Sequence, residues 1–170
     1  MIKKMKHCLK IFTVLLLAVS IISCDEEFVG DVVKDNLPEI PVVFEGATTE
    51  GFNPYYTVSY ANGNFSITVT IPEDSPLMIQ EVTNVVAGTT AINVASLTNA
   101  KQYLSGPAAV NGYSYTLTTS LTEFNTKAIS GAIAAAPAAG VLTERAFMFS
   151  LTMEDGSKIV PVQCRIRVTP

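Results

Sequence analysis

The sequence is short of the side chains on which most enzymes and metal sites depend. Its 170 residues include one histidine, His7, no tryptophan, and three cysteines, Cys8, Cys24 and Cys164. Histidine is the usual general base near neutral pH and the commonest zinc ligand. Its absence after residue 7 excludes Ser-His-Asp and Cys-His catalysis and histidine-ligated zinc from the rest of the chain. We therefore expect neither an enzyme nor a cofactor or metal site.

Carboxylate pairs and the remaining thiol offer little chemistry in their place. Glu73-Asp74 and Glu154-Asp155 lie in predicted turns, and neither stretch has the spacing of a calcium-binding loop. We interpret them as solvated turn residues rather than as the acid pair of a glycosidase. Cys164 alternates in phase with Val162 and Ile166, so we predict a buried, unreactive thiol and no disulfide within the domain.

Basic residues are also few, and several lie close to the N-terminus. From residue 24 onward the chain has seven basic and fifteen acidic residues, and seven minus fifteen gives a net charge of −8. An acidic surface repels phosphate backbones, and the sequence has no basic patch or recognition motif. We therefore expect no nucleic-acid partner.

The first 23 residues have the organisation of a secretory signal peptide. Residues 1–10 are basic, and residues 11–22 form an apolar run of twelve residues. Twelve residues are too few to cross the roughly 30 Å hydrocarbon core of a bilayer as a helix. The length and flanks instead predict a signal peptide over residues 1–23 that is removed from the mature protein.

The end of this segment, Ile21-Ile22-Ser23-Cys24, resembles the lipobox of bacterial lipoproteins. The resemblance implies cleavage before Cys24, acylation of its thiol and attachment to the membrane by lipid. The following Asp25-Glu26-Glu27 resembles the export signal of Bacteroidota surface lipoproteins, which implies the outer membrane and its cell-surface face. In enteric bacteria an Asp directly after the cysteine resembles an inner-membrane retention signal, so the periplasmic alternative remains open.

The rest of the chain divides into a tether and a domain. Residues 24–41 are acidic, contain proline and glycine and have few aromatic residues, which predicts a lipidated acidic tether without a core of its own. Residues 42–170 form the predicted domain. Its strongest feature is a hairpin over residues 145–168, in which apolar residues alternate on both sides of Glu154-Asp155-Gly156-Ser157. We expect a two-residue primed turn at Asp155-Gly156 and one apolar face that includes Phe147 and Phe149. The opposite, polar face is predicted to carry Ser150, Thr152, Gln163, Arg165 and Arg167.

Further strands are predicted upstream of this hairpin. Residues 55–60 and 65–71 alternate on either side of Asn62-Gly63, which predicts a second hairpin. Residues 77–86 and 113–117 predict two more strands, and Ser120-Leu121-Thr122-Glu123 has the spacing of a helix cap. The segment 94–104 is compatible with a short strand or helix, and the alanine-rich segment 128–140 with a loop or a short helix. The set predicts an all-β, antiparallel, immunoglobulin-like β-sandwich of roughly seven strands.

Tyrosines are the remaining candidates for ligand binding. Most of them alternate in phase with core residues, whereas Tyr55 and Tyr103 do not, which makes these two the candidate ligand-binding residues. With its lipobox and sandwich, the chain resembles small accessory lipoproteins of glycan-uptake systems in Bacteroidota. The resemblance implies a non-catalytic outer-membrane surface lipoprotein that binds glycan or protein, with a polysaccharide or an outer-membrane protein as partner. The alternative is a structural or accessory subunit of an outer-membrane or adhesive complex.

Overall fold

A computed structural model describes residues 40–51 and 53–170. The predicted signal peptide, the lipidation site Cys24 and residues 24–39 of the predicted tether lie outside the described residues. Ile40 is buried in the hydrophobic core, so the folded unit includes residues 40 and 41, which the sequence analysis assigned to the tether. In the described part of the chain, no helix combines the length and the apolar character needed to cross a membrane.

The described residues form nine strands and two short helices. The strands are β1 (Val43–Glu45), β2 (Tyr55–Ser59), β3 (Asn64–Thr70), β4 (Ile79–Gly88), β5 (Ala108–Gly112), β6 (Ser114–Ser120), β7 (Thr143–Met153), β8 (Lys158–Ile159) and β9 (Cys164–Thr169). A 3₁₀ helix spans Val94–Thr98, and an α-helix, α1, spans Leu121–Lys127. The smaller sheet has the order β1-β3-β6 and the larger the order β2-β9-β7-β4-β5, with β8 paired to β7. The predicted immunoglobulin-like sandwich is confirmed.

The core lies between the two sheets, where alternate side chains of each strand meet. In the smaller sheet Ile67 and Val69 of β3 are fully buried, while the threonines between and beside them face outward. Phe149 of the larger sheet packs on Phe44 with ring centroids 5.8 Å apart, and Phe147 packs on Phe65 at 5.9 Å. Period-two alternation thus places the apolar residues of both sheets in one layer.

Strand β7 is buried on both faces, which the sequence analysis did not predict. All residues from Ala146 to Leu151 are buried, including Ser150, which was assigned to a polar outer face. The reason is that the chain between β4 and β5, which contains the 3₁₀ helix, covers the outer face of the larger sheet. A second, smaller apolar cluster forms there from Val86, Ile92, Leu97, Ala146 and Met148. Thr152 is half-buried and its hydroxyl bonds to that of Thr83.

The predicted terminal hairpin is present, but its turn and second strand differ from the prediction. Gly156 alone among the turn residues has a positive φ, 83°, and its N–H donates to Met153 O over 2.9 Å. Met153 N–H in turn donates to Ser157 O, so the loop has three residues and ends in a left-handed glycine. After β8 the chain leaves the sheet, because Gln163 Nε2 donates to the carbonyls of Thr90 and Ile92. Val162 is 56% exposed as a result, and alternation resumes at β9.

The second predicted hairpin is wrong, although its turn chemistry is right. Gly63 has the expected positive φ of 68°, and its N–H donates to Ser59 O over 2.8 Å. The turn, however, carries the chain from the larger sheet to the smaller one. Strand β2 pairs parallel with β9, from Tyr55 opposite Arg165 to Ser59 opposite Thr169, whereas β3 pairs antiparallel with β1 and β6. The sheet therefore contains one parallel pair where antiparallel pairing was predicted throughout.

Most of the remaining elements agree with the sequence patterns, although no pattern predicted β5. Strand β4 covers the predicted residues 77–86 with a shift of two residues at each end, and residues 128–140 form a loop. Helix α1 begins after Ser120, whose side chain accepts from Glu123 N–H over 3.1 Å, and it buries Phe124 completely. The Glu123 carboxylate bonds to Thr119 and Lys127 instead of returning to the cap.

The two faces of β7 lead to a first prediction. Phe149→Ala removes a fully buried ring, and we expect the free energy of unfolding to fall by about 3 to 5 kcal/mol. Thr152→Ala on the same strand removes one hydroxyl contact from a half-buried site, and we expect a loss under about 1 kcal/mol. Urea unfolding followed by circular dichroism measures both. Equal losses would contradict the assignment of the faces.

Candidate functional site

Tyr103 does not have the position that a ligand-stacking residue needs. Its side chain is 1% exposed, its N–H donates to Val85 O over 2.7 Å, and its ring meets Phe147 edge-on at 5.2 Å. Its hydroxyl bonds to Thr119 Oγ1 over 2.5 Å. Burial raises the pKa of Tyr103 to about 12. The prediction of Tyr103 as a ligand contact is therefore wrong, because irregular backbone there covers the core rather than solvent.

Tyr55 lies on the outer face of the larger sheet and is only half-buried. The parallel register of β2 and β9 places Thr57 opposite Arg167, and Tyr55 opposite Arg165. The Arg167 guanidinium carbon lies 3.4 Å from the centroid of the Tyr55 ring, which is the geometry of a cation–π contact. The contact holds the Tyr55 ring against β9. A planar guanidinium stacks on an aromatic face at a small cost in side-chain entropy.

A single carboxylate holds the two arginines of β9. Glu144 Oε1 accepts from Arg167 Nε over 2.7 Å, and Glu144 Oε2 accepts from Arg165 Nη1 over 3.0 Å. Glu144 lies opposite Arg167 in the β7–β9 register, so the strand pairing itself brings the charges together. The hydrogen bond with Glu144 raises the pKa of Arg167. Glu50 is also close enough to act on Arg167, so two cations and two anions meet on this surface.

An open groove of about 310 Å³ lies beside Tyr55 and Arg167. Its far wall is the segment 140–142, in which Val141 is 56% and Leu142 is 66% exposed. We call the groove, with these four residues, the Tyr55–Arg167 groove. A second depression of about 340 Å³ adjoins it at Leu142 and includes Arg145, whose Nε donates to Gly131 O. All three arginines of the chain thus lie near this end of the larger sheet.

The groove has the composition of a binding surface. It offers an aromatic ring, a cation and exposed apolar side chains, which are the groups enriched at recognition sites.

Among the residues described, no three metal-ligating side chains cluster together. Glu73, Asp74, Glu154 and Asp155 are exposed in turns, as predicted. Hydrogen bonds with Ser157, from its side chain first and then its N–H, lower the pKa of Asp155.

Sequence reasoning found Tyr55 but missed the residues that surround it. The alternation of β9 correctly placed Arg165 and Arg167 on its outer face. The sequence did not show that β2 pairs with β9, because the two strands are more than a hundred residues apart in the chain. Leu142 is exposed in an irregular segment, so no alternation of apolar and polar residues indicated its position.

Comparisons with known proteins add a structural likeness only. No protein-family model matches the chain, and no curated protein matches it significantly. Among solved structures, it is similar to fibronectin(III)-like modules of Clostridium thermocellum CbhA, at 16% sequence identity and a TM-score of 0.35. The match covers 76% of this chain and 97% of that one. A likeness of this size carries no information on function.

The thiol of Cys164 gives a second prediction. It is fully buried, and burial raises its pKa from 9.0 to about 12. Because the folded state favours the protonated thiol, its contribution to the free energy of unfolding is complete below pH 9 and is lost as the pH rises towards 12. A chain beginning at Asp25 has this single cysteine, and at pH 8 we expect a disulfide reagent to label it only through unfolding. Native labelling as fast as labelling in urea would contradict the burial.

Proposed function

We propose that this chain is a non-catalytic lipoprotein of the outer-membrane surface, anchored through Cys24, and that its sandwich binds a ligand in the Tyr55–Arg167 groove. The anchor rests on the lipobox-like sequence before Cys24 and the acidic residues after it. The binding role rests on the groove, where a stacked tyrosine and arginine face two exposed apolar residues. The scarcity of histidine favours a role in binding over one in catalysis.

The composition of the groove favours a protein segment as its ligand. Exposed Val141 and Leu142 suit apolar side chains, and the guanidinium groups of Arg165 and Arg167 suit an acidic residue beside them. Burial of such groups in a groove is how short segments obtain affinity, because a few anchors contribute most of the binding energy. We therefore rank an acidic, partly apolar protein segment first.

A glycan is the second candidate, and Tyr55 is the observation in its favour. One face of a half-exposed ring is already covered by Arg167, which leaves a small stacking surface. The other tyrosines outside the fully buried core, Tyr56, Tyr60, Tyr113 and Tyr115, pack against that core rather than forming a row beside the groove. A single ring contributes only on the order of 1 kcal/mol beyond its area burial, so we expect sugar binding to be weak.

Binding variants test the groove and give a third prediction. Libraries of acidic peptides and polysaccharides would be presented to the chain beginning at Asp25 and to Arg167→Ala, with Lys158→Ala as the control. Loss of a charged hydrogen-bonding partner should lower the affinity for the selected ligand by about tenfold or more. Lys158→Ala removes an exposed cation from the hairpin beyond the groove and should change affinity less than about twofold.

The outcomes of that experiment separate the candidates. Selection of acidic peptides, with loss in Arg167→Ala and also in Leu142→Ser, supports the protein ligand. Retardation on a polysaccharide that is lost in Tyr55→Ala moves the assignment to a glycan. Binding that is equal in Arg167→Ala and the parent chain would place the site elsewhere and overturn the proposal.

The lipid anchor gives a fourth prediction. Cys24→Ala removes the thiol that would be acylated, and we expect the protein to move from the membrane fraction to a soluble or uncleaved form. The physical reason is that acyl chains supply about 0.8 kcal/mol of membrane attachment per buried CH₂, and the variant would lack them. Fractionation with metabolic fatty-acid labelling measures the change. Unchanged membrane association would contradict lipidation at Cys24.

A further inference from the structure

Strand β6 forms one edge of the smaller sheet and has no strand beside it among the described residues. It pairs only with β3, over seven residues from Ser114 to Ser120. Its sequence, Ser-Tyr-Thr-Leu-Thr-Thr-Ser, contains no charged residue and no proline. Natural sheets usually protect an edge with one of these, because an open edge pairs with other chains.

The register shows which backbone groups this edge presents. Leu121 N–H donates to Gly63 O over 2.7 Å, and Ile71 N–H donates to Tyr113 O over 2.9 Å. These contacts fix the odd-numbered residues of β6 as the ones that bond to β3. In an antiparallel ladder the residues between them direct both N–H and C=O to the other side. The outward residues are therefore Ser114, Thr116 and Thr118, and all three are exposed.

The other edges of the two sheets are short or irregular. Strand β1 has three residues, and β5 has five, with a register shift opposite β4 and a positive φ of 51° at Asn111. On β2 the outward N–H and C=O of Tyr55 are already paired with Thr48. Among the described residues, β6 is thus the one long, regular edge with unprotected backbone groups.

We propose that β6 pairs antiparallel with β6 of a second copy of this chain, about a twofold axis at Thr116. This register places Thr116 opposite Thr116 of the partner subunit, and Ser114 opposite Thr118 of the partner subunit. Each of the three residue pairs exchanges two backbone hydrogen bonds, and the two smaller sheets become one continuous sheet. The contact is isologous and closed, because each chain uses its single open edge and leaves none for a third copy.

The lack of charge on this edge favours a second copy over a foreign strand, and the fixed outer hydroxyls lower the cost of pairing. The protein is acidic, yet its open edge is uncharged, so two copies meet without opposing like charges. The outer hydroxyls of this strand are also fixed in advance: Thr116 Oγ1 bonds to Thr68 Oγ1 over 3.0 Å, and Thr118 Oγ1 to Ser66 Oγ over 3.1 Å. Pairing therefore orders few additional side chains, which lowers the entropy cost of association.

A disulfide trap tests this register. In a hydrogen-bonded antiparallel pair the opposed Cα atoms lie about 5.5 Å apart, within the range that a disulfide spans. In the chain beginning at Asp25, Thr116→Cys should form a covalent dimer under mild oxidation at least about tenfold faster than Ser66→Cys. Ser66 lies on the same face but one strand inward and two residues from the twofold axis, so its two copies would be three strand spacings apart across the sheet and four residues apart along it, about 20 Å in all. Cys164 is present in both variants and is buried.

A second variant separates edge pairing from chance collision. Thr118→Pro removes an outward N–H that β3 does not use, so the domain should keep its melting temperature within a few degrees, whereas trapping by Thr116→Cys should fall to the Ser66→Cys rate. Thr116→Lys keeps every backbone donor but opposes two like charges, and it should shift sedimentation of the chain towards the monomer. Equal trapping of Thr116→Cys and Ser66→Cys would overturn the proposal. So would a crosslink on cells that joins Thr116→Cys only to a different protein, since the occupant would then be a foreign strand.

Discussion

The structure depends on one constraint, that β7 must be covered on both faces. Six consecutive residues of this strand, 146–151, are buried, and a single sheet partner can cover only one side of them. The smaller sheet supplies the inner cover through Phe44 and Phe65, and the segment with the 3₁₀ helix supplies the outer one through Ile92 and Leu97. At about 25 cal/mol per Å² of apolar surface, this double burial outweighs any single polar contact in the domain. The outer segment also binds Gln163, and so determines where β9 begins.

The candidate groove inherits its geometry from that arrangement. Glu144 is two residues before the doubly buried part of β7, so strand pairing fixes its backbone position, and its carboxylate in turn binds the arginines of β9. Its side chain is 14% exposed, whereas those of the two arginines are 26% and 33% exposed. A carboxylate removed this far from water is retained because two charged donors satisfy it. The candidate groove is therefore preorganised by packing on one side, while its apolar wall at Leu142 lies in an irregular segment.

Local patterns predicted those features that local physics decides. Alternation identified β3, β7 and β9 and the burial of Phe149 and Cys164, and the cap at Ser120 identified the start of α1. The failures concern long-range partners. Asn62-Gly63 has the chemistry of a turn, but nothing in it decides whether the next strand joins the same sheet or the opposite one. Tyr103 did not alternate with core residues because the backbone around it is irregular. Irregular backbone that covers a core can bury a ring as completely as a strand can.

The parallel pairing of β2 with β9 has a mechanical consequence. Because the two strands run in the same direction, tension applied at the N-terminal end of β2 and at the C-terminal end of β9 acts along the strands. Their hydrogen bonds, from Pro54 O with Arg165 N–H to Tyr60 N–H with Thr169 O, would then be loaded together in shear. An antiparallel pair pulled from adjacent ends would instead open one bond at a time. A load carried between the loop before β2 and the C-terminal end of β9 would thus act on the whole pair at once, whereas a load from the N-terminal side reaches β1 first.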